Sequence, residues 1–271
     1  MKISISVASS PSNMRHIMFF NGLDKDLPRL AEMGFDGVDL FFPKPQEVDV
    51  SKVRRLVAQY GLNVTMLASQ GDLMADGLYL NEAKRLPELL ERSKYHLGQC
   101  AELGAMPNLG FLRGRHDNRP DSLKRMAEGV RAYCEVASGM GVKVLLEPIC
   151  RYEIDSIQTA AQGLELKAMA GNPENLSLLL DTFHMNIEEA SIPGAISRSK
   201  DNIGHVHFVD NTRAVPGHGC MRLGEVLKDL MAAGYDGFLG MEAIPGSNPD
   251  EDARQGLLYA RNLILECSGQ G

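Results

Sequence analysis

The chain has no tryptophan, no C-x-x-C pair and no apolar run that approaches the roughly 20 residues of a membrane span. Its five cysteines (Cys100, Cys134, Cys150, Cys220 and Cys267) are odd in number and scattered, so neither a disulfide framework nor a thiolate zinc site is indicated. They read as reduced thiols of a cytoplasmic protein. Excess positive charge is missing as well. The 28 Lys and Arg against 35 Asp and Glu leave a formal charge of −7, which disfavours binding along a phosphate backbone. The opening MKISISVASSPSN lacks the apolar core and cleavage pattern of a signal peptide. No G-x-G-x-x-G follows the first strand candidate, which argues against a dinucleotide-binding sheet. Nucleic-acid and membrane partners are therefore not expected, and a small-molecule partner is.

What is present is regular alternation. Short apolar runs at 2–8, 37–42, 63–69, 107–112, 142–147, 176–181, 205–210 and 237–242 are rich in Val, Ile, Leu and Phe, as strands covered on both faces should be. Between them lie helical patterns, among them 25–33, 51–60, 81–103, 121–140 and 223–233. The pieces MGFDGVDL, YGLNVTML, MGVKVLLE and AGYDGFLG each place a glycine where a helix stops and a strand begins. Eight strand candidates alternating with helices, with no linker or low-complexity segment, predict one α/β domain over 1–271: a (β/α)8 TIM barrel. An open doubly wound sheet is the alternative. In such a barrel the chemistry lies at the C-terminal ends of the strands, so polar residues that terminate apolar strands are the ones to weigh.

Four strand candidates of the second half end in metal-competent side chains: VKVLLEP with Glu147, LSLLLDTFH with Asp181, HVHFVD with His207 and FLGMEAIPG with Glu242. Any one of them alone would read as a cap or a surface charge. Three carboxylates and one imidazole on consecutive strands form an oxygen-rich set that suits one divalent ion, Mn2+ first, with Mg2+ or Co2+ as alternatives.

Beyond these positions stand Glu153 in EPICRYE, His184 in DTFH and Arg213 in FVDNTRAVPGHG. With them the pattern resembles the ketose 3-epimerases, the D-tagatose and D-psicose 3-epimerase group of the xylose-isomerase-like TIM barrel superfamily. The resemblance implies that Glu147, Asp181, His207 and Glu242 hold the metal. It implies that Glu147 and Glu242 are also the catalytic acid/base pair, moving the C3 proton of a ketose through a cis-enediolate. It further implies that Glu153, His184 and Arg213 hold the sugar, and that the chain forms a homodimer or homotetramer. An aldose–ketose or hydroxypyruvate-type sugar isomerase with the same metal site is the alternative. An endonuclease IV-like phosphodiesterase is a remote one, because the early strands supply no histidine cluster.

The first half departs from that family's pattern. Members acting on free ketohexoses commonly line the pocket with aromatic residues, often including Trp, whereas FLRGRHDNRP here carries Arg113, Arg115 and His116. This loop reads either as a site for a phosphate or carboxylate on the substrate or as a solvated loop paired with surface acids. His205, two residues before His207, faces the same side one layer deeper, as a ligand-orienting partner or an interior histidine. Arg15, His16, His218 and Cys220 are weaker candidates for the mouth of the site. Cys150 has no histidine beside it in sequence, His96 sits in a helical pattern, and Met66 and Met241 read as core.

Overall fold

The computed structural model describes residues 1–271 except 12, 13, 118, 270 and 271. Its strands are β1 (Lys2–Ala8), β2 (Gly37–Phe41), β3 (Asn63–Ala68), β4 (Met106–Pro107), β5 (Val144–Leu146), β6 (Leu176–Asp181), β7 (Ile203–His207) and β8 (Phe238–Met241). The helices are α1 (Leu23–Met33), α2 (Val50–Gln59), α3 (Gly71–Ala75), α4 (Leu86–Leu103), α5 (Ser122–Gly139), α6 (Ala160–Met169), α7 (Thr182–Glu188), α8 (Ile192–Ser199), α9 (Leu223–Ala232) and α10 (Pro249–Cys267).

Every strand pair is parallel, and the order β4-β3-β2-β1-β8-β7-β6-β5 leaves only the β4–β5 seam to complete the circle. The single bridge Asn108–Leu145 spans that seam, with Leu109 N–H donating to Leu145 O at 2.8 Å. The (β/α)8 barrel expected from alternation is therefore the observed architecture, nearly closed.

Strand β4 is shorter than its apolar run suggested. Pro107 has no N–H to offer a ladder, and the Asn108 side chain accepts the Gly110 N–H at 2.9 Å, so the chain turns there. Expected strand 107–112 thus shrinks to two residues, and Phe111 and Leu112 lie in a turn over the barrel mouth. Strand β7 likewise starts and ends earlier than 205–210, which places His207 at its last position.

Helix ends follow local chemistry. Asp49 caps α2 by accepting from Lys52 N, and Thr159 with Gln162 forms a reciprocal capping box on α6. Leucine, valine and alanine faces of the helices pack on the outer strand faces to make the main core, including Leu27, Leu30, Val38, Leu97, Val130 and Leu239. A second cluster of Ala8, Ile17, Phe41, Met66, Leu145 and Leu179 lies apart from it. Side chains alternate along a strand, so the residues two before each rim position form a deeper layer. Leu145 lies below Glu147, Leu179 below Asp181, His205 below His207, and Gly240 below Glu242. Among the described residues, no helix is long and apolar enough to cross a membrane.

Candidate metal centre and sugar pocket

Glu147 follows β5, Asp181 ends β6, His207 ends β7 and Glu242 follows β8, so adjacent strands deliver all four to the C-terminal rim. Each is buried, and one ligand atom from each lies within 4.8 Å of the others. His207 Nδ1 is 3.6 Å from Asp181 Oδ2, 3.6 Å from Glu242 Oε2 and 3.8 Å from Glu147 Oε1.

Glu147 Oε1, Asp181 Oδ2 and His207 Nδ1 converge there without a hydrogen-bond partner among the described residues. Buried polar atoms are ordinarily paired, and a shared divalent cation satisfies all three at once. The remaining carboxylate oxygens are committed elsewhere: Asn108 Nδ2 donates to Glu147 Oε2 at 2.6 Å, and Phe183 N–H donates to Asp181 Oδ1 at 2.8 Å. The donor set therefore fits one divalent ion.

The electrostatics agree. Burial and the adjacent Glu242 charge push the Glu147 carboxyl up to about 8. Burial alone would lower His207, but the charges of Glu242, Asp181, Glu147 and Asp39 overcome it and raise the imidazole to about 10. Burial would raise Asp181 and Glu242 too, yet their cationic neighbours hold both below the ordinary carboxylate range. His184, His207 and Arg213 act on Asp181; His16, His207 and Arg213 act on Glu242. An excess of negative charge enclosed in a dry site holds protons where a cation would displace them.

Around this centre the structure gathers Glu153, His184 and Arg213. Arg213 Nη1 donates to Glu153 Oε1 at 2.8 Å, Nη2 donates to Glu242 Oε2, and the guanidinium carbon sits 5.2 Å from the Phe183 ring centroid. His184 Nε2 lies 3.8 Å from both Glu147 Oε1 and Asp181 Oδ2. Arg213 adopts φ 59°, a left-handed conformation for a residue with a side chain. Asp210 builds the loop that supports it by accepting from the N–H groups of Asn211, Gly217 and Met221.

These side chains open into a cavity of about 380 Å3. Its far walls are Phe41, Phe42, Met66, Gln70, Met74 and Phe111, with His16 at the rim, 3.7 Å from Glu242 Oε1. Phenylalanines thus supply the aromatic surface that tryptophan would.

Three expectations are corrected. Arg113 does not face a substrate: it is 0% exposed, and its guanidinium donates to the carbonyls of Gly110, Glu147, Ser156 and Ile157. It pins the loop after β4 to the loop after β5, because those turns leave inward carbonyls that need donors. Arg115 and His116 line a neighbouring cavity and not the metal pocket. Cys150, without a histidine beside it in sequence, stands with His184 and Glu153 in space, and burial raises its thiol pKa, which disfavours the thiolate.

Of the weaker candidates, His16 reaches the pocket. His218 instead contacts Gln255, and Cys220 is exposed beside α9. His96 is an interior histidine 3.1 Å from Asp72.

Two contributors escaped sequence reasoning. Asn108 was hidden inside an apparent strand. Asp39 sits in GVDLF, fully buried on β2; its Oδ1 is 3.1 Å from His205 Nε2 and its Oδ2 accepts from Ser4 Oγ at 3.3 Å. Burial would raise its pKa, but His205 and His207 hold it down at about 2. A carboxylate interrupting a wholly buried strand was the signal that marked it.

Comparison with known proteins agrees with this geometry. The chain is 30% identical to an L-ribulose 3-epimerase of Mesorhizobium japonicum, an alignment covering 89% of this chain and 82% of that protein. It is 28% identical to a 3-dehydro-D-guloside 4-epimerase of Escherichia coli, over 86% of this chain and 91% of the relative. The crystal structure of D-psicose 3-epimerase with D-tagatose from Clostridium cellulolyticum H10 superposes with a TM-score of 0.80 at 22% identity, covering 97% of this chain and 99% of that one, which speaks for the fold. The xylose isomerase-like TIM barrel family matches residues 27–263, and the chain belongs to that family.

Proposed function

We propose that the protein is a metal-dependent ketose 3-epimerase. The observation that carries the reading is the convergence of unpartnered Glu147 Oε1, Asp181 Oδ2 and His207 Nδ1, with Glu242 completing the ring, at the floor of a sugar-sized cavity. Its sequence relatives act on sugars by epimerisation, in keeping with such a site.

Glu147, Asp181, His207 and Glu242 would hold one divalent ion, Mn2+ by preference of the ligand set. When bound, that ion supplies Lewis-acid polarisation of the ketone. Glu147 and Glu242 extend from β5 and β8, the outer two of the four strands that supply the ligands. One removes the C3 proton of the ketose and the other returns a proton to the opposite face, which inverts that carbon.

Arg213 and His184, both buried, contribute hydrogen-bond donors beside the developing negative charge. Glu153 anchors Arg213 and accepts from a sugar hydroxyl. Asp181 and His207 hold the centre without exchanging protons with substrate. His207 is backed by the layer of Asp39 and His205, and Asp181 is fixed by the first N–H groups of α7.

NMR of ketoses incubated with the Mn2+-loaded protein in deuterium oxide tests the reaction. Label at C3 with formation of the C3 epimer is expected. Label at C4 would move the chemistry one carbon along, and label at C1 or C2 would make the protein an aldose–ketose isomerase.

A further inference from the structure

The sugar cavity has a neighbour. Met74 and Phe111, which line it, also line a second cavity of about 420 Å3 completed by Tyr79, Asn81, Glu82 and Arg115. The two chambers share that wall, and a second link joins them: Arg115 Nη2 donates at 2.8 Å to the carbonyl of Glu153, the residue whose carboxylate receives Arg213.

The outer chamber is built, not incidental. Asn81 is buried, and its Nδ2 donates to Arg115 O at 2.7 Å. Gly114 lies so close that a Cβ there would meet Asn81 Oδ1 at 2.1 Å. Tyr79 is tied to the Met74 carbonyl at 3.4 Å, next to the shared wall.

Its chemistry argues against an anion. The guanidinium of Arg115 shares the space with the carboxylate of Glu82, so its positive charge is offset by a negative one, while Asp117 is held by Arg119 and Arg125. Phe111 is 40% exposed and, with Tyr79, offers aromatic surface; Asn81, Arg115 and Glu82 offer both donors and acceptors. A flat apolar face ringed by mixed hydrogen-bonding groups with balanced charge suits a pyranose ring, whose C–H face is apolar and whose edge is hydroxylated. A phosphate offers only acceptors and two negative charges.

We infer that this outer chamber binds a glycosyl group attached to the end of the keto sugar remote from the carbonyl, so that ketosyl disaccharides are preferred over free ketoses. The inference rests on the epimerase reading for the orientation of the sugar: the carbonyl end at Glu147 and Glu242, the far end at Met74 and Phe111.

Calorimetry on the Mn2+-loaded protein with isomaltulose, a fructose carrying glucose on O6, and with D-fructose tests it. Wild-type protein should bind isomaltulose at least about tenfold more tightly than D-fructose. Tyr79→Ala and Glu82→Ala should each cut that ratio to about threefold or less, while Tyr79→Phe, which keeps the ring, should retain most of it. Equal affinities for the two sugars, or a preference that both alanine variants preserve, would overturn the inference.

Deuterium exchange followed by NMR in the same samples separates the two readings. Exchange at C3 with equal affinities leaves the epimerase and removes the chamber. A Tyr79- and Glu82-dependent preference without exchange leaves the chamber and removes the epimerase.

Discussion

Asp39 Oδ2 lies 3.8 Å from Nε2 of His207, behind the imidazole, while the other ring nitrogen faces the three carboxylates of the rim. Asp39 therefore places a negative charge behind His207 and favours the ring orientation in which Nδ1 faces the carboxylates as a ligand. Asp39→Asn keeps the volume and removes the charge. Mn2+ affinity measured by titration should fall about 10- to 100-fold. Unchanged affinity would show that the ring is held by packing alone.

Gly240 makes this arrangement sterically attainable. A Cβ at that position would sit 2.4 Å from Asp39 Oδ2 and 2.9 Å from His205 Nε2. Gly240→Ala should therefore destabilise the fold by about 1–3 kcal/mol, the usual cost of overpacking a core, and weaken Mn2+ binding as well. Thermal unfolding with and without Mn2+ checks both effects. A variant with wild-type melting temperature would contradict the tight packing of this layer.

Arg213 joins Glu153 and Glu242 through its two terminal nitrogens. Replacing it with lysine keeps a charge but cannot span both carboxylates. Arg213→Lys should lower kcat by about 10²- to 10³-fold, as loss of one preorganised donor does, with the metal still bound. A rise in KM at constant kcat would instead make Arg213 a substrate anchor only.

The site also fixes how stability responds to pH. The folded protein holds the Glu147 carboxyl at about 8 against an ordinary 4.5, and the His207 imidazole at about 10 against 6.5. Both are raised, so their contribution is fully present below the ordinary values and is lost as pH rises through the folded ones. Asp39, held at about 2, and Glu242 and Asp181, also lowered, act in the acid range instead. The metal-free protein should therefore lose stability from about pH 4.5 to pH 10, most steeply between about pH 6.5 and pH 8, where both groups contribute. Mn2+ takes the place of those protons, so its stabilising increment should grow over the same range. A Mn2+ increment independent of pH would mean that the ion binds elsewhere.

These residues also separate what the sequence made legible from what it hid. Glu147, Asp181, His207 and Glu242 stood out because four metal-competent side chains end four consecutive apolar strands, where one alone would read as a cap or a surface charge. Glu153, His184 and Arg213 followed from their offsets. Phe111 and Leu112 read as strand because apolarity cannot distinguish a buried ladder from a turn packed over a barrel mouth, and Asn108 had already diverted the chain. Arg113 read as part of a substrate-anion site or a solvated loop because sequence does not reveal that neighbouring turns leave four carbonyls pointing inward. Met66 read as core yet lines the cavity, since a cavity wall has the same composition as an interior.

The central claim is that Glu147 and Glu242 together exchange the C3 proton at a metal centre. Its most direct test is solvent deuterium incorporation into a ketose by wild-type protein, Glu147→Gln and Glu242→Gln, each with its Mn2+ content measured. Wild-type protein should label C3 and form the epimer. Each variant, with Mn2+ still bound, should epimerise at least about 100-fold more slowly, the scale of losing one acid/base group. Full epimerisation by either variant would contradict the two-carboxylate account.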